Sequence, residues 1–161
     1  MSKPIYIFDL DGTLADIEHR IHFIEGKKKD WTAFFAACVN DKPVLPVINT
    51  LKTLRKAGAE IWIWTGRSDE VAAQTEEWLY ANGCIKSSMF LHWEPFRPFE
   101  ALMMRKAGDH RPDHELKAEW LSQIEPPEYK RLCGVFEDRS RVVQMWRSFG
   151  ITCFQVAPGE F

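Results

Sequence analysis

The nine residues Ile5-Tyr6-Ile7-Phe8-Asp9-Leu10-Asp11-Gly12-Thr13 constrain the rest of the chain more than any others. Four strand-favouring apolar residues without polar alternation predict a short strand buried on both faces, as in a parallel sheet. The strand ends on Asp9, and Asp11-Gly12-Thr13 turns the chain. Carboxylates at the C-terminal end of such a strand lie in the crevice where open α/β sheets bind ligands. Side by side, Asp9 and Asp11 would repel each other and one pKa would rise. A hard cation such as Mg²⁺ relieves that repulsion, since it binds through one or two carboxylates plus substrate phosphate. A plain Asp-Gly turn with a solvated acid is the alternative, so the remaining sequence has to discriminate.

The segment after Thr13 is the least regular. Asp16 is placed to cap a helix through Gly26, with Ile17, Ile21 and Ile24 along one side, and Asp30 to cap a second carrying Trp31, Phe34 and Phe35. Asn40-Asp41-Lys42-Pro43 then breaks the pattern. Residues 15–45 thus read as a small helical insert, positioned either to cover the acidic turn as a cap or to serve as a plain crossover. Lys27-Lys28-Lys29 reads as a solvated face.

From Pro46 onward, helix and strand alternate. A helix with the stripe Val47, Ile48, Leu51 and Leu54 leads to the strand Ala59–Trp64, which delivers Thr65-Gly66-Arg67. Ser68 caps a helix to about Gly83, and Met89–Trp93 is the next expected strand. A long loop, Glu94 to Pro112, precedes a helix capped by Asp113. Leu132–Phe136 ends in Glu137-Asp138, the helix Ser140–Phe149 follows, and Ile151–Val156 is a last strand. The alternation argues an α/β fold: a parallel five-stranded sheet flanked by helices, with right-handed crossovers.

At 161 residues the chain is expected to form one domain, residues 1–161. A net charge of −2 supplies no global basic field for nucleic acid, so any such contact has to come from a local patch. Cys38, Cys84, Cys133 and Cys153 make no metal-ligand pattern and read as reduced core thiols. With no signal peptide and no run of 18 apolar residues, a cytoplasmic protein without membrane contact is expected. The sequence identifies no protein partner.

Three predicted strands end in complementary polar groups: Asp9 and Asp11, Thr65 and Arg67, Glu137 and Asp138. In a parallel sheet these ends share one edge, and Lys117, in the first turns of the helix before the fourth strand, is placed to join them. Each signal alone is weak, since Thr65 can cap a helix, Lys117 can be solvated and Glu137-Asp138 can start a turn. Together, carboxylates for a metal, a hydroxyl, a lysine and an arginine describe a phosphate site.

In this order the residues resemble the four motifs of the haloacid dehalogenase-like (HAD) phosphohydrolase superfamily, whose Rossmann-like fold is then expected over nearly the whole chain. The resemblance implies that Asp9 is a nucleophile forming an aspartyl-phosphate and that Asp11 is the general acid and then base. It implies that the Asp9 carboxylate, the Asp11 backbone carbonyl and Asp138 hold Mg²⁺, with Glu137 in support. Thr65, Gly66, Arg67 and Lys117 would bind the phosphoryl group. The chemistry is coherent, because a weak carboxylate nucleophile becomes useful when held in line while metal and lysine neutralise the phosphate.

A narrower similarity lies in the C-terminal third: Gly108-Asp109-His110-Arg111 ahead of Lys117, Glu137-Asp138-Arg139, Val142 to Arg147 and the terminal Gln155 to Phe161. These stretches resemble the 3′-phosphatase half of phage-type polynucleotide kinase–phosphatases. The resemblance implies a phosphorylated substrate, a 3′-phosphate nucleic-acid end or a nucleotide. No GxxxxGK[ST] loop occurs, so no kinase activity is expected, and residues 15–45 match that family poorly. Arg97, Arg105, Lys106, His110 and Arg111, interleaved with Trp93, Phe96 and Phe99, suit a short single-stranded end or equally a structural loop. Arg105 and Arg111 are the candidate substrate contacts. The rival functions are a nucleotidase or small-metabolite phosphatase, and a non-catalytic metal-binding or repair-complex module.

Overall fold

The computed structural model describes residues 2–86 and 102–159. Five strands form one sheet in the order β5-β4-β1-β6-β7: β1 (Ile5–Phe8), β4 (Glu60–Ser68), β5 (Leu102–Arg105), β6 (Leu132–Arg139) and β7 (Cys153–Gly159). All four pairings are parallel. The apolar run expected to be β1 is indeed the central strand, and its alternate residues feed two separate cores. Ile5 and Ile7 join Trp62, Trp64 and Val135 beneath α5 (Asp113–Ser122) and α7 (Ser140–Ser148). Phe8, on the opposite face, packs with Ile63, Leu51 of α3 (Leu45–Lys56) and Leu79 of α4 (Ala72–Ala81). Among the described residues Trp64 meets the indole of Trp62 at a centroid distance of 6.2 Å and those of Trp120 and Trp146 at 5.7 Å each. A central strand covered by helices on both sides presents its functional groups only at its end, and that end is Asp9.

Residues 15–43 form the insert, and they are less helical than expected. Asp16 accepts a hydrogen bond from the Glu18 amide (3.0 Å), but the N-cap of α1 (Glu18–Ile21) is Ile17 rather than Asp16, and the helix lasts a single turn. Asp30 does cap α2 (Trp31–Ala36), accepting from the Ala33 amide at 2.9 Å. The strands β2 (Ala15–Asp16) and β3 (Lys42–Pro43) pair antiparallel and close the insert onto its own base. Ile17, Ile24 and Phe34 give it a small core of its own.

Other boundaries also differ from expectation. β4 runs on through Thr65-Gly66-Arg67-Ser68, with a register shift against β5 between Thr65 and Ser68. A strand, β5, lies inside the stretch read as a loop. Meanwhile Met89–Trp93, read as a strand, lies outside the described residues, as do Phe96, Arg97 and Phe99. Asp113 does not cap α5, whose N-cap is Pro112. A short α6 (Pro126–Tyr129) precedes β6, β6 extends to Arg139, and β7 begins at Cys153. Cys133 is exposed rather than core, whereas Cys38, Cys84 and Cys153 are buried. Among the described residues no helix is long and apolar enough to cross a membrane.

Candidate active site

Three neighbouring strand ends, those of β4, β1 and β6, converge with α5 on one buried polar cluster. Asp9, fixed by its amide bonding to the Phe136 carbonyl (2.9 Å), is only 5% exposed. Lys117, buried on α5, donates from Nζ to Asp9 Oδ1 (2.5 Å) and to Glu137 Oε2 (2.7 Å). Glu137 is held in turn by the amides of Asp138 (3.1 Å) and Arg139 (3.3 Å).

The electrostatics follow from this crowding. Burial, then the charge of Glu137, push the Asp9 carboxyl up to about 8, against the pull of Lys117. Burial and the Asp9 charge bring Asp138 to about 6. Burial also raises Glu137. For Lys117 burial works the other way, yet Asp9 and Glu137 together hold its ammonium well above the usual lysine range. One oxygen from each of Asp9, Glu137 and Asp138 lies within 4.8 Å of the others. Three hard donors at such spacing, all of them drawn to protons by burial and by one another's charge, fit a divalent cation.

Small residues make room for the Asp138 carboxylate. Gly12 has φ +86°, and a Cβ there would run into the Asp138 carboxyl group. At Gly159 the added carbon would lie 2.5 Å from Asp138 Oδ2. Thr13 Oγ1 donates to the other oxygen at 3.3 Å. Gly12→Ala is therefore expected to lower stability by about 1–3 kcal/mol, the cost of a strained backbone site. Urea unfolding followed by tryptophan fluorescence checks this, and an unchanged midpoint would count against both the strained left-handed backbone at Gly12 and its close approach to Asp138.

Asp11 lies in different surroundings. Its Oδ1 accepts from Arg20 Nη2 (2.7 Å) and from Arg67, through Nε (3.1 Å) and a shorter contact from Nη2. Burial alone would raise Asp11, but Arg67 and Arg20 override it and hold the carboxyl at about 2. Behind the arginines sits Asp41, which accepts from Arg20 Nε and Nη2 (2.7 Å each) and from Arg67 Nη2 (2.8 Å). His19 lies 2.9 Å from Asp41 as well. Two buried guanidinium groups and two carboxylates thus form a compact neutral square joining the insert to the strand ends.

Thr65 is buried, with Oγ1 accepting from the Arg67 amide (3.1 Å), and Gly66 leaves the space that the Asp113 carboxylate fills. Asp113 binds Arg139 (2.9 Å) and, more closely, Arg105. Arg105 also donates to the carbonyls of Gly66 (2.8 Å), Asp109 (3.2 Å) and Arg111 (2.7 Å), so it ties the mouth of the site together. Arg111 stands on the rim, paired with Asp109 (2.7 Å) and Glu119. Asp9, Asp11, Arg67, Arg105 and Arg111 all line one cavity of about 360 Å³. The crevice thus brings together Asp9, Asp11, Gly66, Arg67, Arg105 and Arg111, while Lys117, Glu137 and Asp138 cluster with Asp9 and Thr65 is buried towards the end of β4.

Arg20, Asp41 and Asp113 escaped the sequence reading. The signal for Arg20 is a cation nine residues after Asp11, in the insert read either as a cap over the acidic turn or as a crossover. Asp41 and Asp113 read as turn and cap residues.

Residues 3–161 match the family described as the polynucleotide kinase PNKP phosphatase domain. Among solved structures, a chain of the Pnkp1/Rnl/Hen1 complex is 27% identical with a TM-score of 0.77, and the match covers 100% of this chain and 48% of that one. A chain of the Pnkp1/Rnl/Hen1 RNA repair complex gives 27% and 0.76, covering 100% and 45%. This chain therefore spans about half the length of those relatives. A putative phosphatase from Clostridium difficile, 17% identical with a TM-score of 0.58, shares the fold over 96% of this chain and 85% of its own. Because the match takes in the acidic turn, the buried lysine and the second acidic pair alike, this chain belongs to the PNKP phosphatase-domain family, a branch of the HAD-like phosphatases that hydrolyse phosphoric monoesters.

Proposed function

We propose that this protein removes a terminal 3′-phosphate from a nucleic-acid end, through an aspartyl-phosphate on Asp9 and with Mg²⁺ as cofactor. The observation that carries the reading is Asp9 at 2.5 Å from the buried Lys117 ammonium, at the edge of the acidic cluster. The family match and the likeness to a chain of an RNA repair complex support the nucleic-acid substrate.

In this reading a carboxylate oxygen of Asp9 attacks phosphorus while the bond to the ester oxygen breaks. Asp11 gives that oxygen its proton, then takes one from the water that hydrolyses the aspartyl-phosphate. Lys117 draws Asp9 toward its ionised form, against the burial that raises its pKa, and neutralises phosphoryl charge, while Thr65 and Gly66 stand at the strand end that receives the phosphoryl group. The low pKa of Asp11 means the arginine pair must yield before it protonates. An arriving phosphate dianion supplies the like charge that raises that pKa and competes for the arginines. The carboxylates of Asp9 and Asp138 and the backbone carbonyl of Asp11 would hold the cation, with Glu137 supporting. Mg²⁺, when bound, offsets the phosphate charge and fixes its orientation.

A substrate panel tests the reading: 3′-phosphorylated oligonucleotides, 5′-phosphorylated oligonucleotides, mononucleotides and sugar phosphates. Preference for the first is expected. Sugar phosphates hydrolysed as well as 3′-phosphorylated ends would move the function to a metabolite phosphatase.

Metal and protons compete for the same carboxylates. The folded-state values of Asp138 and Asp9 are raised to about 6 and about 8, so protonation favours the fold. That stability is fully present below the unfolded value of 3.8 and is lost as pH rises through 6 and 8. Millimolar MgCl₂ is therefore expected to raise Tm more at pH 8 than at pH 5, and EDTA to abolish turnover. Asp138→Ala should flatten the Mg²⁺ effect on Tm. Equal Tm gains at both pH values would rule these carboxylates out as the cation site.

A further inference from the structure

A second, larger cavity of about 1200 Å³ lies beside the crevice that holds Asp9 and Asp11, and the two share Trp31, Pro112, Asp113 and Arg139 in their walls. None of the chemistry above uses it. Its surface combines Lys29 and Trp31 of the insert with His114 of α5 and Arg141 and Gln144 of α7. Lys29 and Arg141 are exposed, and neither forms an ion pair with a described residue. Asp113 contributes no free negative charge, since Arg105 and Arg139 hold it, and Glu25 is the opposing acid on the rim.

Trp31 stands where the two cavities meet. It is 42% exposed, although its ring is braced by Phe35 (5.9 Å, planes 29° apart) and, edge to face, by Phe34 (5.7 Å). The capped start of α2 fixes its backbone, and Lys29 Nζ lies 5.6 Å from its ring. An indole braced in this way, 42% exposed, with only the end of the flexible Lys29 side chain over its ring and standing between a phosphate-sized crevice and a basic groove, is a platform for a flat ring.

We infer that this groove holds the nucleotides that precede the terminal 3′-phosphate of a single strand, with a base stacked on Trp31 and the next backbone phosphate between Lys29 and Arg141. The inference rests on the polynucleotide reading of the site and adds where the strand leaves it. Stacking on an aromatic face tolerates every base, so recognition is by strand rather than by sequence. Two cations give a weak salt dependence, with a slope of about two contacts.

The test compares a 3′-phosphorylated mononucleotide with a single-stranded 3′-phosphorylated hexanucleotide. For the wild type, KM is expected to fall about ten-fold or more from the first to the second, the scale of one stacked base and a phosphate contact. Trp31→Ala and the double variant K29A/R141A should each raise KM for the hexanucleotide about five-fold more than for the mononucleotide, and Trp31→Phe should restore most of the difference. A KM independent of length, or an equal change on both substrates, overturns the groove while leaving the phosphatase reading intact. Binding of a fluorescein-labelled hexanucleotide, measured by anisotropy in EDTA, decides the matter without turnover. Equal affinity for wild type and K29A/R141A removes the proposal. Loss of affinity in the double variant alongside absent hydrolysis of every phosphoester would instead keep the groove and remove the enzyme reading.

Discussion

Asp9→Asn is expected to remove turnover by at least about 10⁴-fold while leaving the fold unharmed, because a covalent mechanism without its nucleophile loses orders of magnitude in rate. The direction for stability is the less obvious half. Asp9 is buried against Glu137 and Asp138, and its pKa of about 8 records that its charge is unwelcome there. An asparagine removes that charge and can still accept from Lys117, which keeps Glu137 as an ionic partner at 2.7 Å. Tm in EDTA should therefore be unchanged or higher than that of the wild type at pH 8. Activity against p-nitrophenyl phosphate, thermal unfolding and acid-quench trapping of a phosphorylated protein are the measurements. Substantial turnover by verified Asp9→Asn protein would exclude the aspartyl-phosphate route.

What the sequence makes legible here is governed by how local the cause is. The run Ile5–Phe8 needs only its own composition to be read as a buried strand, and the acidic turn after it follows from Asp-Gly-Thr. Thr65 and Glu137-Asp138 were legible because they stand near the ends of strands with the same apolar signature. Leu102–Arg105 was not, since Leu-Met-Met-Arg carries no β-branched or aromatic residue, and it forms β5 because β4 offers it an edge. Asp113 reads as a helix cap from its position, but Arg105 and Arg139 claim it from distant segments. The insert was legible only in outline, for its helices are too short to show a clear period. Its tie to the site is through ion pairs that no spacing rule encodes.

Those ion pairs support the second large effect. Asp41→Ala leaves Arg20 and Arg67, 0% and 1% exposed, sharing Asp11 as their remaining acidic partner. Removing one member of a buried charged network costs about 3–5 kcal/mol, since the charge left behind has lost its compensation. Trp78 does not soften the loss, because its indole N–H bonds to the Asp41 backbone carbonyl (2.8 Å), which the substitution retains. Tm should fall on the order of 10 °C for a chain of this length. Calorimetry would sink the account if the loss were under about 1 kcal/mol, since the arginines would then be reaching water without difficulty. Asp41→Asn separates structure from chemistry. It keeps the shape and an acceptor oxygen but weakens the grip on the two arginines that orient Asp11. A nitrophenolate leaves without help from a proton, whereas the alkoxide of a sugar 3′-oxygen needs one. Asp41→Asn should therefore slow hydrolysis of a 3′-phosphorylated nucleotide about ten-fold more than that of p-nitrophenyl phosphate, a partial loss of the roughly 10²-fold or more that a positioned general acid contributes. Equal slowing of both would leave Asp41 a role in the fold alone.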